Sequence, residues 1–244
     1  MSSLLIIQSA SPLNNLCLNS LRLKLLYIFI LFLGCNTNNE GLDLNLQIKG
    51  LKKGEIIIKK LNDSAFVSLD SFQVNGNNKI NFKYFLTEPE MIFLDLNLND
   101  GSETKTTNFF AENSKIDIET SLENYGFNMS VKGSINDSIY RDYISLNKKF
   151  NNQKLDLYER SFRNVKSNNK DSLKIIENLI ININTRQFLH NANYAVRNKN
   201  YEVAPYIAIT DLYESKKILD TIYKSLDEKI IGSKYGIQLK KMVE

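Results

Sequence analysis

Leu42-Asp43-Leu44-Asn45-Leu46-Gln47-Ile48-Lys49, residues 42–49, places four aliphatic side chains on alternate positions with polar ones between them. Successive strand residues point to opposite faces, so this period of two predicts a strand with one face buried and one wet. Toward the C-terminus, Gly50-Leu51-Lys52-Lys53-Gly54 reads as a turn into a partner strand, Glu55 to Leu61, built on Ile56-Ile57-Ile58. Asn62-Asp63-Ser64 turns again into Ala65 to Val74. Asn75-Gly76-Asn77-Asn78 is a hairpin signal before Lys79 to Phe85, a strand that Pro89 ends. Met91 to Leu98, Thr106 to Ala111, Lys115 to Thr120 and Phe127 to Lys132 continue the series. Short strands at this spacing predict an antiparallel β-sandwich or open barrel over residues 41–134.

From Asn136 the apolar period becomes helical. Asp137 or Ser138 is available as an N-cap, with Ile139, Tyr140, Tyr143, Ile144 and Phe150 near one stripe. Leu155, Tyr158, Phe162 and Val165 predict a second helix, and Asp171-Ser172 opens a long third, Leu173 to about Arg197. Pro205 suits the first turn of a helix reaching Leu212. Ser215 to Leu226 and Ser233 to Val243 complete an all-helical part, residues 135–244, so the fold class is α+β in two parts.

Composition narrows the chemistry. Of 244 residues, 43% are hydrophobic and 24% charged, a balance that supports a packed core. One His and two Cys leave too few ligands for zinc or iron-sulfur centres, and no Cys-x-x-Cys pair exists, so no metal and no cofactor is expected. The net charge of +4 is dispersed rather than gathered in a patch, which argues against nucleic acid.

Working outward in the other direction, Arg22 and Lys24 precede an uncharged apolar run, Leu25 to Leu33, ending Phe32-Leu33-Gly34-Cys35. Nine apolar residues fall short of the ~20 that span a bilayer. The segment reads as a lipoprotein signal peptide, residues 1–34, with Cys35 acylated after cleavage as the first mature residue. Residues 35–40 then form a polar tether, and 210 residues remain once 34 are removed. Cys17 leaves with the leader, so the mature chain has no free thiol. The expected location is the cell envelope. Asn36-Thr37-Asn38-Asn39 lacks an acidic run resembling a surface-export signal, which places the protein facing the periplasm.

Leu46-Gln47-Ile48-Lys49-Gly50-Leu51, Ile56-Ile57-Ile58, Leu69-Asp70-Ser71-Phe72, Val74-Asn75-Gly76, Phe82 and Glu88-Pro89 carry a family likeness. This half resembles the domain of unknown function that precedes the thioredoxin-like domain of Bacteroidota thiol:disulfide interchange lipoproteins. Ala204-Pro205-Tyr206-Ile207-Ala208, Leu219-Asp220-Thr221-Ile222-Tyr223 and Ser233-Lys234-Tyr235-Gly236-Ile237-Gln238-Leu239 resemble the helical segment that follows there. The chain stops at Glu244, where the redox domain of those relatives would begin, so the resemblance implies a recognition module and transfers no redox activity.

No catalytic constellation emerges. His190 lacks a partner placed by the sequence, and Asp70-Ser71 is the pattern of a local backbone hydrogen bond. The tyrosines of the helical half, Tyr140 through Tyr235, have the spacing of core and interhelix positions. Asp63-Ser64-Ala65, Asp137-Ser138-Ile139, Asp171-Ser172-Leu173 and Asp220-Thr221-Ile222 resemble sites at which Bacteroidota attach O-glycans. Ser64, in a turn, is the first candidate; Ser138 and Ser172, at helix starts, follow; Thr221, inside a helix, is expected to be unmodified. The expectation is a non-enzymatic cell-envelope lipoprotein, held on a membrane through Cys35, that binds or scaffolds a protein or small-molecule partner whose identity the sequence leaves open. The alternative is an accessory subunit, or truncated remnant, of a thiol:disulfide interchange protein.

Overall fold

A computed structural model describes residues 41–62, 65–166 and 169–244. Its strands are β1 (Leu42–Lys49), β2 (Lys53–Asn62), β3 (Ala65–Asn75), β4 (Lys79–Tyr84), β5 (Glu90–Asn97), β6 (Lys105–Ala111), β7 (Lys115–Ser121) and β8 (Ser130–Lys132). The helices are α1 (Ile135–Lys166), α2 (Lys170–Arg197), α3 (Val203–Asp211), α4 (Lys216–Ser225), α5 (Glu228–Ile231) and α6 (Lys234–Val243). The fold is thus α+β in two parts, with the strands N-terminal.

The strands form two four-stranded sheets, in the orders β4-β1-β7-β8 and β3-β2-β5-β6. Alternation in β1 works as its sequence predicts: Leu42, Leu44, Leu46 and Ile48 are buried. They meet Ile56 and Ile58 of β2, Ile92 and Leu94 of β5, and Phe109 of β6 in one core between the sheets. Three features of the pairing differ from the sequence reading. Asn75–Asn78 closes no hairpin, because β3 and β4 lie in different sheets and the turn carries the chain from one to the other. β2 does not pair with β1; it lies in the other sheet between β3 and β5, so the Gly50–Gly54 turn carries the chain across the core. The pairing of β1 with β7 is parallel, Leu44 opposite Ile116 and Leu46 opposite Ile118, so the first sheet is mixed rather than antiparallel. Parallel neighbours need a long crossover, here all of β2 to β6, and no local turn signal announces one. The last strand is also shorter than expected, and Phe127 lies outside it, exposed.

In the second sheet β5 and β6 are covered on both faces, whereas β3 is largely exposed. Ile92, Leu94 and Leu96 of β5 face the first sheet, while Met91 and Phe110 join a second core with Tyr143, Ala195, Ile207, Ile222 and Leu239 of the helices. That accounts for the nearly unbroken apolar run Met91-Ile92-Phe93-Leu94, since a strand covered on both sides loses its alternation. α3 is apolar around its circumference, with Val203, Ala204, Ile207 and Ala208 fully buried, because it sits inside the helical layer.

β6 is an edge strand, so its outward backbone groups need partners. α1 supplies them. Phe110 N–H donates to Asp137 Oδ1 at 2.8 Å, and Arg141, one turn later, donates to the Asn108 carbonyl and to Asp137. Asp137 is therefore not the cap of α1. The helix starts at Ile135, and Ser134 Oγ accepts from Asp137 N–H at 2.9 Å. The preceding Gly133 has φ +100°, and a Cβ there would lie 1.9 Å from the Lys115 carbonyl oxygen. Asn136 ties this start to α3: its Oδ1 accepts Val203 N–H at 3.0 Å, and its Nδ2 donates to Glu202 at 3.0 Å.

The two helices expected before residue 167 are one, 32 residues long. Asn151-Asn152-Gln153 contains neither Pro nor Gly, and Asn costs a helix only tenths of a kcal/mol. The long second helix opens at Lys170 rather than Leu173, with Asn169 Oδ1 accepting from Ser172 N–H at 3.1 Å.

Asp137→Ala strands the Phe110 N–H and leaves Arg141 without its carboxylate. It should lower stability by roughly 3 kcal/mol, a fall in Tm of about 6–12 °C, read by thermal unfolding. Burial holds the Asp137 carboxyl above its usual range in spite of Arg141. The folded state therefore keeps this proton more tightly than the unfolded chain. The stability of the wild type relative to Asp137→Asn should be greatest below the ordinary aspartate pKa near 3.8 and decline as pH rises through the window above it. Urea titrations of both proteins across that window measure the difference; a constant difference would contradict it.

Candidate functional site

The sheet and the helical layer do not close completely along one border. A cleft of about 660 Å³ lies between the end of β2, the Thr87-Glu88 segment, the start of β5, and one side each of α3 and α6.

Its deepest charge is Glu90, the first residue of β5 and only 3% exposed. Two ammonium groups hold it: Lys60 Nζ of β2 at 2.9 Å and Lys234 Nζ of α6 at 2.5 Å. Lys234 also donates from Nζ to the Leu61 carbonyl at 2.8 Å, and its N–H donates to Glu88 at 2.6 Å. Next to it, Tyr235 Oη accepts the Met91 N–H at 2.8 Å. The first turn of α6 is thus fastened to the start of β5, 144 residues earlier. Ser233 sets that turn, its Oγ accepting from Gly236 N–H at 3.2 Å and donating to the Ile230 carbonyl at 2.7 Å. Gly236 is a first-turn glycine rather than a helix end, and a Cβ on it would lie 2.0 Å from the Ile230 carbonyl oxygen.

Tyr206, Tyr235 and Phe110 form the wall behind these charges, their ring centroids 5.1 to 5.8 Å apart. Burial pushes the Tyr206 and Tyr235 hydroxyls up, so they stay protonated donors through the neutral range. Burial is the largest single influence on the Lys60 ammonium and works against it, but the hydrogen bond to Glu90, the charge of Glu90 and the neighbouring Tyr84 together outweigh this, and the lysine sits above its usual value. An amine held charged so firmly is a poor proton acceptor near neutrality. Lys60, Lys234 and Lys241 line the cleft against Glu88 and Glu90, a surplus of one positive charge, with Thr210 and Gln238 as neutral polar groups. This arrangement can fix and neutralise a polar ligand. Three of the segments on which the family likeness was read, Glu88-Pro89, Ala204–Ala208 and Ser233–Leu239, converge here.

The residues singled out from the sequence lie elsewhere. Cys35 and Ser64 are outside the described residues. Ser138 is exposed on the first turn of α1, whereas Ser172 is half-buried in the first turn of α2, so Ser138 offers the more accessible hydroxyl of the two. Thr221 is exposed on α4 and donates to the Lys217 carbonyl at 2.9 Å. His190 is packed between the rings of Phe150 and Tyr194, with a buried Nε2 that makes no hydrogen bond. Asp70 accepts the Ser71 N–H at 2.8 Å on an exposed strand. Tyr143 donates to Asp211, and Tyr194 to the Ile139 carbonyl at 2.8 Å, both joining helices. Lys60, Glu90 and Lys241 were not anticipated; the one available signal is Glu90 itself, a carboxylate opening an otherwise apolar run. Among the described residues no three His, Cys, Asp or Glu side chains gather as a metal site, and no helix is long and apolar enough to cross a membrane.

No curated protein matches the chain. Among solved structures, the crystal structure of (S)-allantoin synthase is similar over 38% of this chain and 43% of that one, with 10% identity and a TM-score of 0.26. The chain thus spans less than half the length of that structure, and so loose a likeness bears on neither fold nor activity. Residues 42–140, from β1 to the second turn of α1, match the family described as a domain of unknown function, DUF4369.

Proposed function

We propose that this protein is a non-enzymatic, lipid-anchored cell-envelope binding module whose ligand site is the cleft between β5 and α6. The observation that carries the reading is the buried Glu90 held between Lys60 and Lys234 on the cleft wall. A buried ion cluster adds little to stability compared with apolar packing of the same volume. Its value lies in presenting fixed charge beside a concave, aromatic-backed surface, which is how small-ligand sites obtain orientation and selectivity. The ligand favoured by one surplus ammonium is a small polar molecule with an acidic group. Lys60 and Lys234 are already neutralised, so Lys241 on the rim is the cation left to meet it. Anchoring through Cys35 rests on the basic residues, short apolar run and Gly34-Cys35 of the leader, and the periplasm-facing location on Asn36-Thr37-Asn38-Asn39, which has no acidic run. The second reading, accessory to a thiol:disulfide interchange system, draws on the family-like segments that line the same cleft; its ligand would be a protein chain rather than a small acid.

Two measurements test this. Cys35→Ala should block processing or release the protein from membranes, since each buried methylene of an acyl chain contributes about 0.8 kcal/mol to retention. Recovery of the variant at normal size in the membrane fraction would defeat the anchor. Native mass spectrometry of the wild type extracted from its own membranes should show a bound small molecule, lost in Lys241→Glu, which turns the lining from a surplus of one positive charge to one negative. Retention of the same mass by that variant would remove the cleft as the site.

A further inference from the structure

The α1–α2 hairpin runs well past both apolar cores. No residue from Asn151 to Gln187 belongs to either, and only Leu157 and Ile176 are buried among the described residues of that stretch. Residues 151–166 alone add about 24 Å of helix at ~1.5 Å per residue. Toward its end the apolar side chains turn outward: Phe162 is 72% exposed, Val165 and Ile175 each 59%.

These side chains do not share one face. Leu157 faces α2, and at ~100° per residue Arg160 lies about 60° to one side of it and Phe162 about 140° to the other. Leu179 of α2 shares a groove with Arg160 and Asp156 on the first side. Apolar groups therefore occur on both sides of the hairpin, interleaved with exposed Arg160, Arg163, Lys166, Lys170 and Lys174. Against these five cations the stretch from Tyr158 to Leu179 has three acids, Glu159, Asp171 and Glu177, and Glu159 is paired with Arg163 at 3.6 Å.

A second copy, or any folded partner, would be matched by a single apolar stripe with charges along its borders. An apolar end encircled by cations needs surroundings that meet it on every side, hydrocarbon below and anionic groups around. Long arginine and lysine side chains can reach back to the phosphates while the apolar groups sink. We propose that the distal end of the α1–α2 hairpin docks on an anionic lipid surface, seating Phe162, Val165 and Ile175 in the interface. This does not depend on acylation of Cys35.

The chain contains no Trp, so Phe162→Trp in the full-length protein places a single indole at the hairpin end. Mixed phosphatidylcholine and phosphatidylglycerol vesicles should shift its emission to the blue and shield it from acrylamide, while Phe127→Trp, on the strand part, stays unshifted. Arg163→Gln with Lys166→Gln should weaken the response roughly 25-fold, about fivefold for each cation near an anionic surface. The same shift in the Cys35→Ala background supports the proposal and separates it from the anchor. Unchanged emission with vesicles overturns it. A shift without vesicles that grows with protein concentration identifies a second copy and overturns it too, and an equal shift on pure phosphatidylcholine overturns the part assigned to the cations.

Discussion

Burial of β5 and β6 on both faces of their sheet is the constraint from which the rest of the architecture follows. One face of β5 and β6 meets the first sheet through Ile92, Leu94 and Phe109, and the other meets the helices through Met91 and Phe110. Apolar burial contributes about 25 cal/mol per Å², so each covered face is a large favourable contribution, but it is non-directional. It brings three layers together without choosing how they are turned. Polar contacts at the borders make that choice. Asp137 and Arg141 fit only the open edge of β6, and Tyr235 fits only the free N–H of Met91, because a hydrogen bond fails when its partners are rotated away.

The cleft follows from the same geometry. A twisted sheet and a layer of straight helices cannot stay in contact along their whole border. Where they part, the groups that would otherwise be stranded are the first carboxylate of β5 and the first turn of α6, and the lysines answer both. Lys234 is central because one side chain and its own N–H reach Glu90, Leu61 and Glu88 together, tying β2, β5 and the intervening segment to one helix end. The wall so formed is rigid, backed by interlocked rings of Tyr206, Tyr235 and Phe110, and a rigid wall with fixed charge loses little entropy when a ligand is ordered against it.

Much of the fold was legible because local physics decides it. The period of two in β1, Pro205 in a first turn and the start of α6 beside Ser233 act within a few residues, and each stands where the sequence puts it. What was not legible depends on partners far away in the chain. The parallel pairing of β1 with β7 and the placing of β2 in the opposite sheet are set by which faces the two cores leave open, and no turn residue encodes that. Asp137 looked like a cap because Asp before an apolar helix stripe usually is one. Gly133 with Ser134 performs that task instead, and the carboxylate is drawn to a strand edge that only the tertiary fold exposes. The cleft was hidden for the same reason, since Glu90 and Tyr235 become neighbours only after the sheet is covered.

The sequence difference between the two ends of α1 shows how one helix serves two environments. Its first half, Ile139, Tyr140 and Tyr143, turns aromatic and aliphatic groups onto the helical core, and Tyr143 and Tyr194 convert their polar ends into interhelix hydrogen bonds. Its second half also has large apolar side chains, Leu155, Tyr158, Phe162 and Val165, but no layer of the protein reaches them. A helix that only had to bridge solvent would be polar all round there, as the lysines and asparagines between these residues show the chain can be. Apolar groups in water lower neither the energy of the fold nor its solubility cost. Their concentration at the end of the longest element, together with a surplus of cations, therefore marks a surface built for something other than the stability of this chain.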